Sequence, residues 1–300
     1  MLSFLPILLT LFDSEAVFLR SLFLNKQYSI LSFVASTFAL LLPTIGAFIS
    51  GITGVIYGKY ISVVSSLYLG VKLIKRTYNG NEITESIPSS KKKEFLVFAL
   101  TAMLTNSISS LLYKIDTFLV GTLIKTAEAV ASYSIATQIP YNLNFIPLVL
   151  MTFAYPYFVK NWKNIHWVRK HYRLITLSLA LLNSSLCITL FFLAPQTIKL
   201  FFGERYLVST PIFKILIFGY FIAGTFRIPS GNLLAALGKI KVNLVNSIIS
   251  GITNILLDLV MIYFFGALGA AIATVIVFIL SSLISFIYLY RYLWSRKVKI

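Results

Sequence analysis

Nine apolar stretches follow one another along this chain, most of them long enough to cross a bilayer, with short gaps between them. They run over roughly residues 1–19, 28–49, 52–72, 95–122, 131–157, 173–195, 211–235, 242–264 and 267–290. A helix rises about 1.5 Å per residue, so about 20 residues cross the roughly 30 Å of hydrocarbon. In lipid each backbone polar group must be satisfied within the protein, which leaves helices as the form for such runs. The expected fold is therefore all-α, a polytopic transmembrane bundle of about nine helices. The first stretch is the weakest, because Asp13 and Glu15 interrupt it.

Charge supports the same reading. Only 12% of the 300 residues are charged and 58% are hydrophobic, against about 25% charge in an ordinary soluble chain. The net charge of +17 would suggest nucleic acid in a soluble protein. Here no basic domain holds it, and no nucleic-acid partner is expected. Of the 26 Lys and Arg, 19 lie in alternate gaps, near 20–28, 72–94, 160–173, 239–241 and 291–300. The intervening gaps hold four, Lys125, Lys199, Arg205 and Lys214. The positive-inside rule makes the richer side cytoplasmic. That places a multi-pass protein in the cell membrane with its C-terminus inside, and nine crossings put Met1 outside.

Little else is left for other chemistry. Cys187 is the single cysteine, so no disulfide forms within the chain. His166 and His171 are too few for a zinc site. No cofactor is expected. The first residues lack a basic flank and a small-residue cleavage site, so they read as part of a spanning segment, not a signal peptide.

The longest gap, Tyr78–Lys93, carries Asn-Gly, Pro88, serines and Lys91–Lys93, which marks a linker. It gives residues 1–73 three helices, 74–94 a cytoplasmic linker and 95–300 six helices. Residues 157–172 mix Trp162, Trp167 and two tyrosines with four basic residues and read as an amphipathic interfacial helix. Ser50, Gly54 and Gly58, like Gly266, Gly269, Ala270 and Ala273, form small-residue strips for close helix packing. Pro147 leaves the Leu143 carbonyl without its helical donor, and Pro229 does the same to Thr225. Either a static bend or a hinge follows from such positions.

Three basic residues, Lys59, Lys114 and Arg227, fall inside apolar runs, as do Asp116 and Asp258. A charge in hydrocarbon is costly and should face a protein interior or an aqueous cavity. Basic groups prevail among the five, which favours an anionic solute or lipid headgroup. Arg227, Lys114 and Lys59 are the headgroup candidates. Asp116 and Asp258 are the candidates to carry a coupling proton or Na⁺, because burial disfavours a charged carboxylate. Lys114 and Asp116 are two apart, about 200° around a helix, and do not face each other. Thr105, Asn106, Ser109, Ser110, Asn232, Asn243, Asn246 and Asn254 add groups that sugar hydroxyls and ordinary interhelical hydrogen bonds both need.

Three stretches carry a family resemblance: KIDTFLVGTLIKTAEAVASYSIATQI at 114–139, LFFGERYLVSTPIFKILIFG at 200–219, and 235–276, which begins AALGKIKVNLVN. Asp116, Gly121, Tyr133 and Ala136, then Gly203, Gly238, Lys239, Asn254, Gly266 and Gly269–Ala271, fit the pattern. The chain resembles the polysaccharide and O-antigen flippases of the multidrug/oligosaccharidyl-lipid/polysaccharide exporter superfamily. The resemblance implies two six-helix lobes, with residues 95–300 as the second and 1–73 as the last helices of the first, so that about three helices would precede them. It implies a V-shaped cavity between lobes whose basic residues hold the pyrophosphate of an undecaprenyl-linked oligosaccharide. The expected partners are that anionic lipid-linked glycan, membrane lipids, and polysaccharide polymerase or glycosyltransferase proteins. A membrane glycan polymerase or acyltransferase would need a catalytic base in a sizeable loop, and the outer gaps are short and hold no His. An exporter of cations would want an acidic cavity. A non-transporting fragment or scaffold is the further alternative, and no enzyme is expected.

Overall fold

The computed structural model describes residues 3–77 and 88–295 and, among them, is built of helices without strands. Seven helical runs are long and apolar enough to span a membrane by length and composition. The residues 78–87 of the expected linker, and the terminal residues 296–300 with their basic side chains, lie outside the described residues. The chain divides into two compact units, Met1–Ser86 and Ile87–Ile300.

The first unit holds α1 (Leu5–Ser21) and α2 (Asn25–Thr77). At 17 residues α1 is the short span, about 25 Å. It ends in a left-handed turn at Phe23 (φ 59°). There the Phe23 amide donates to the Arg20 carbonyl and the Leu24 amide to the Leu19 carbonyl, both at 3.0 Å, the pairing that satisfies a helix C-terminus. The 53 residues of α2 are two helices, because Ser50 and Gly51 leave helical backbone angles. Gly51 sits at φ 59°, where a side chain would be strained. The chain reverses there, and a Cβ on Gly54 would overlap the Gly46 carbonyl. Gly58 lies as closely against Leu42 and Pro43. The small-residue strip is thus the seam of a helical hairpin.

The second unit contains α3 (Ser89–Ile124), α4 (Ala127–Leu143), α5 (Phe145–Lys160), α6 (Ile165–Phe192), α7 (Ala194–Phe202), α8 (Thr210–Ile222), α9 (Ile228–Ala236), α10 (Ile240–Phe265) and α11 (Ala267–Ser295). A 3₁₀ turn, Glu204–Ser209, precedes α8, and a π-helical turn, Ala223–Arg227, joins α8 to α9. Helix α2 reaches Thr77 and α3 starts at Ser89, so the helices take in both ends of the stretch expected as linker, including Lys91–Lys93.

The expected interfacial helix over 157–172 does not form. Asn161 Nδ2 closes α5 on the Tyr157 carbonyl at 2.9 Å, and the Asn164 side chain accepts from the Trp167 amide at 3.0 Å to start α6. Two local caps outcompete the amphipathic pattern. The run over 131–157 is likewise broken, at Asn144 between α4 and α5. Pro140 and Pro147 fall on either side of that break.

Helix α10 shows how the unit is built. Asn246, Ser250, Asn254 and Asp258 are buried at every fourth position, while Tyr263, Phe264 and Phe265 are exposed. The polar stripe faces inward and the apolar surface outward, as a lipid-immersed helix requires. Ser281, Ser282 and Ser285 of α11 are buried too. Apolar packing surrounds this polar seam. One cluster gathers Tyr133, Phe213, Ile217 and Tyr220, and another Met151, Phe158, Leu233 and Leu289.

One construction occurs in both units. Gly238 (φ 72°) closes α9 with the same pair of hydrogen bonds as Phe23, to Ala235 and Leu234. Gly266 (φ 58°) reverses the chain between α10 and α11 as Gly51 does within α2. A Cβ on Gly269 would overlap the Met261 carbonyl, as Gly54 would meet Gly46. A constant sequence offset relates Phe23, Gly46, Gly51 and Gly54 to Gly238, Met261, Gly266 and Gly269. Helices α1 and α2 are therefore an internal repeat of the stretch from the end of α8, through the π-helical turn and α9, to α11.

Candidate functional site

Four helices of the second unit bring a polar cluster together. Helix α3 supplies Asp116, α4 Tyr133, α10 Asn254 and Asp258, and α11 Thr274. All five are buried. The Tyr133 hydroxyl donates to Asp116 Oδ2 at 3.0 Å. The Thr274 hydroxyl lies 2.5 Å from the same oxygen and 2.9 Å from the Ala270 carbonyl. Asn254 Nδ2 donates to Asp258 Oδ2 at 3.4 Å. Asp116 Oδ1, Asp258 Oδ1 and Asn254 Oδ1 are buried and have no hydrogen-bond partner. Three acceptors without donors, in one apolar surround, leave a cost that a proton or a hard cation would relieve. Among the described residues no group of three or more His, Cys, Asp and Glu could hold a metal ion, so a multiply charged transition metal is a poor fit.

A cavity of about 300 Å³ connects this cluster with Arg227. Asp116, Tyr133, Asn254 and Thr274 line it, as do Lys114 and Arg227. Lys114 is exposed although Asp116, two residues on, is buried. Arg227 ends the π-helical turn, an irregularity found often where a helix carries function. Its Nε donates to Ser281 Oγ at 3.0 Å, and its guanidinium lies 5.4 Å from the centre of the Phe278 ring. Those contacts orient the fork from behind. Arg227 also lines a second cavity, of about 660 Å³.

The structure gathers Arg227, Lys114 and Asp116 on one cavity, and Asp258 accepts from Asn254, which lines the same cavity. Lys59 is not among them: it is exposed on the second arm of α2, in the first unit. By the offset of the internal repeat, Lys59 occupies the place that Thr274 holds in the second unit, and Pro43 the place of Asp258. The repeat thus preserves the hairpin but not the acidic cluster. Thr274 was not visible as a site residue from sequence, and Tyr133 only as part of a family pattern. The available signals were two spacings of four, Asn254 to Asp258 and Ala270 to Thr274, each of which stacks two groups on one helix face.

Fold and site define a multi-pass membrane protein whose buried polar seam opens into cavities between its helices. The chain belongs to a family described as Polysaccharide biosynthesis protein, whose model matches residues 1–211. Among its relatives is the teichuronic acid biosynthesis protein TuaB of Bacillus subtilis (strain 168), 32% identical over 152 residues, or 49% of this chain and 30% of TuaB. A putative O-antigen transporter of Shigella flexneri is 26% identical over 255 residues, 84% of this chain and 57% of that protein. The chain therefore spans less than two thirds of the length of these relatives. The fold is that of a MATE transporter of Vibrio cholerae, VcmN, with a TM-score of 0.82 at 17% identity over 93% of this chain and 65% of that one. The lipid II flippase MurJ superposes with a TM-score of 0.61 at 18% identity, covering 94% of this chain and 60% of that chain.

Proposed function

We propose that this protein takes part in flipping an undecaprenyl-pyrophosphate-linked oligosaccharide across the cytoplasmic membrane during surface polysaccharide synthesis, with its C-terminus inside. The observation that carries the proposal is one cavity whose lining includes both Arg227 and Lys114 and, from the acidic cluster, Asp116. A guanidinium fork suits the paired oxygens of a pyrophosphate, and Lys114 adds a point charge. Lys59, in the first unit, is a third candidate for the same headgroup. The preponderance of basic residues in alternate gaps supports the orientation, and the family of the chain supports the substrate class. Polymerase and glycosyltransferase proteins of the same synthesis are the partners this role calls for.

Asp116 and Asp258 form the coupling site for H⁺ or Na⁺ in this reading. The residues fit such an ion because three buried oxygens there have no donor. A monovalent cation supplies compensation for the two carboxylates. Asp116, Asp258 and Asn254 would hold it, while Tyr133 and Thr274 orient Asp116 through Oδ2.

The test is binding. The purified chain should bind undecaprenyl diphosphate, and Arg227→Ala should weaken that binding about tenfold or more. Equal affinity of the variant and the parent would overturn the headgroup role. In a strain without its own glycan flippase, surface glycan that depends on this chain should disappear with Arg227→Ala.

A further inference from the structure

The second cavity has a composition unlike the first. Among the described residues, Arg227 is the only charged one that lines it. The rest of its polar lining consists of hydroxyls and carboxamides from α3, α5, α9, α10 and α11, together with Asn142 and Asn144 at the α4–α5 break. The orientation of several amides is fixed by what they bond. Asn142 Nδ2 donates to the Gln138 carbonyl at 2.8 Å, Asn232 Nδ2 to Ile228 at 2.9 Å, and Asn243 Nδ2 to Gly231 at 2.7 Å. A backbone carbonyl only accepts, so each amide must turn its nitrogen to it. Each side chain then keeps an oxygen acceptor and a second N–H.

Such a surface is mixed, with acceptors and donors side by side. A sugar hydroxyl both donates and accepts, and so matches it. A carboxylate only accepts, and so can use the donors of such a surface but not its acceptors. Its charge would also lack a cation beyond Arg227, which the pyrophosphate already engages.

We infer that this cavity is a saccharide subsite, and that it selects an uncharged sugar attached directly to the pyrophosphate held at Arg227. The inference rests on the headgroup reading given above. It adds to that reading the chemical class of the first sugar and the residues that read it, Asn232 and Asn243. Arg227, shared by both cavities, marks the junction between phosphate and sugar.

The experiment compares three probes on the purified chain in detergent by native mass spectrometry. They are undecaprenyl diphosphate, its N-acetylglucosaminyl derivative and its glucuronyl derivative. The N-acetylglucosaminyl form should bind about tenfold more tightly than the bare diphosphate, as roughly two hydrogen bonds would give. The glucuronyl form should bind no more tightly than the bare one. Asn232→Leu and Asn243→Leu should each bring the ratio of neutral glycosyl to bare affinity towards one. The three-probe comparison on the parent chain stands whether or not these variants fold. Equal affinity for all three probes, or a preference for the glucuronyl form, overturns the inference and leaves the headgroup reading intact. No binding of the bare diphosphate overturns both.

Discussion

The Tyr220 hydroxyl lies 3.0 Å from the main-chain carbonyl of Leu143, the acceptor that Pro147 leaves without its helical donor. It is also 3.1 Å from Asn183 Oδ1, and Asn183 Nδ2 reaches Thr225 Oγ1 at 3.1 Å. The break between α4 and α5 is thus tied to the π-helical turn that carries Arg227. Removing the hydroxyl in Tyr220→Phe should cost about 1–2 kcal/mol, read as a lower unfolding temperature in detergent. The loss should be smaller in a Pro147→Ala background, where Leu143 regains an amide donor. An equal loss in both backgrounds would show that the hydroxyl does not serve this carbonyl.

Close helix packing makes a second, contrasting prediction. A Cβ on Gly269 would overlap the Met261 carbonyl, so Gly269→Ala should destabilise the α10–α11 hairpin by at least about 2 kcal/mol. Gly251, on α10, has only the Leu112 and Ile108 side chains near, at 3.5 and 3.9 Å. Gly251→Ala should be tolerated, and the gain in helix propensity is up to about 1 kcal/mol. Folded yield on size exclusion chromatography distinguishes the two.

The acidic cluster predicts an ion effect on stability. Unfolding temperature should rise with NaCl over an equal concentration of choline chloride if Na⁺ is the coupling ion, since a ligand of the native state stabilises it. Asp258→Asn should remove that rise. A rise that survives both Asp116→Asn and Asp258→Asn would place the ion elsewhere. If Na⁺ gives no rise in the parent chain, H⁺ is the ion, and Asp258→Asn should flatten the dependence of transport on a proton gradient.

Arg227 Nε donates to Ser281 Oγ, and its guanidinium lies over the Phe278 ring. Arg227→Lys keeps the charge but loses the fork, so undecaprenyl diphosphate affinity should fall about as far as in Arg227→Ala. Ser281→Ala removes only the orienting acceptor and should weaken binding about fivefold. Full affinity in Arg227→Lys would reduce the residue to a point charge.

The helical runs were legible because hydrocarbon demands long unbroken apolar segments, and the residues 28–49 and 52–72 already divided at the Ser50–Gly51 turn. The nine stretches correspond to the arms of the helices found, with α7 and the 3₁₀ turn as additions. The cap at Asn164 and the break at Asn144 were harder to see. Each depends on a local hydrogen bond that competes with a pattern averaged over many residues. Lys59 looked equivalent to Lys114 and Arg227 by hydropathy alone. Its place in the other unit, at the repeat position of Thr274, appears only when the two hairpins are aligned through their turns.

What the amino-acid sequence determined by itself was the solvent and the form: apolar length and segregated charge permit only a helical membrane protein. Which polar groups meet was decided by tertiary structure. Asp116 and Asp258 come from helices far apart in sequence, and nothing local to either specifies the other. Packing α3, α4, α10 and α11 together puts them beside Tyr133, Thr274 and Asn254, and leaves three oxygens without donors. Hydropathy is a property of one segment read alone, whereas an unpaired acceptor is defined by every neighbour that fails to reach it.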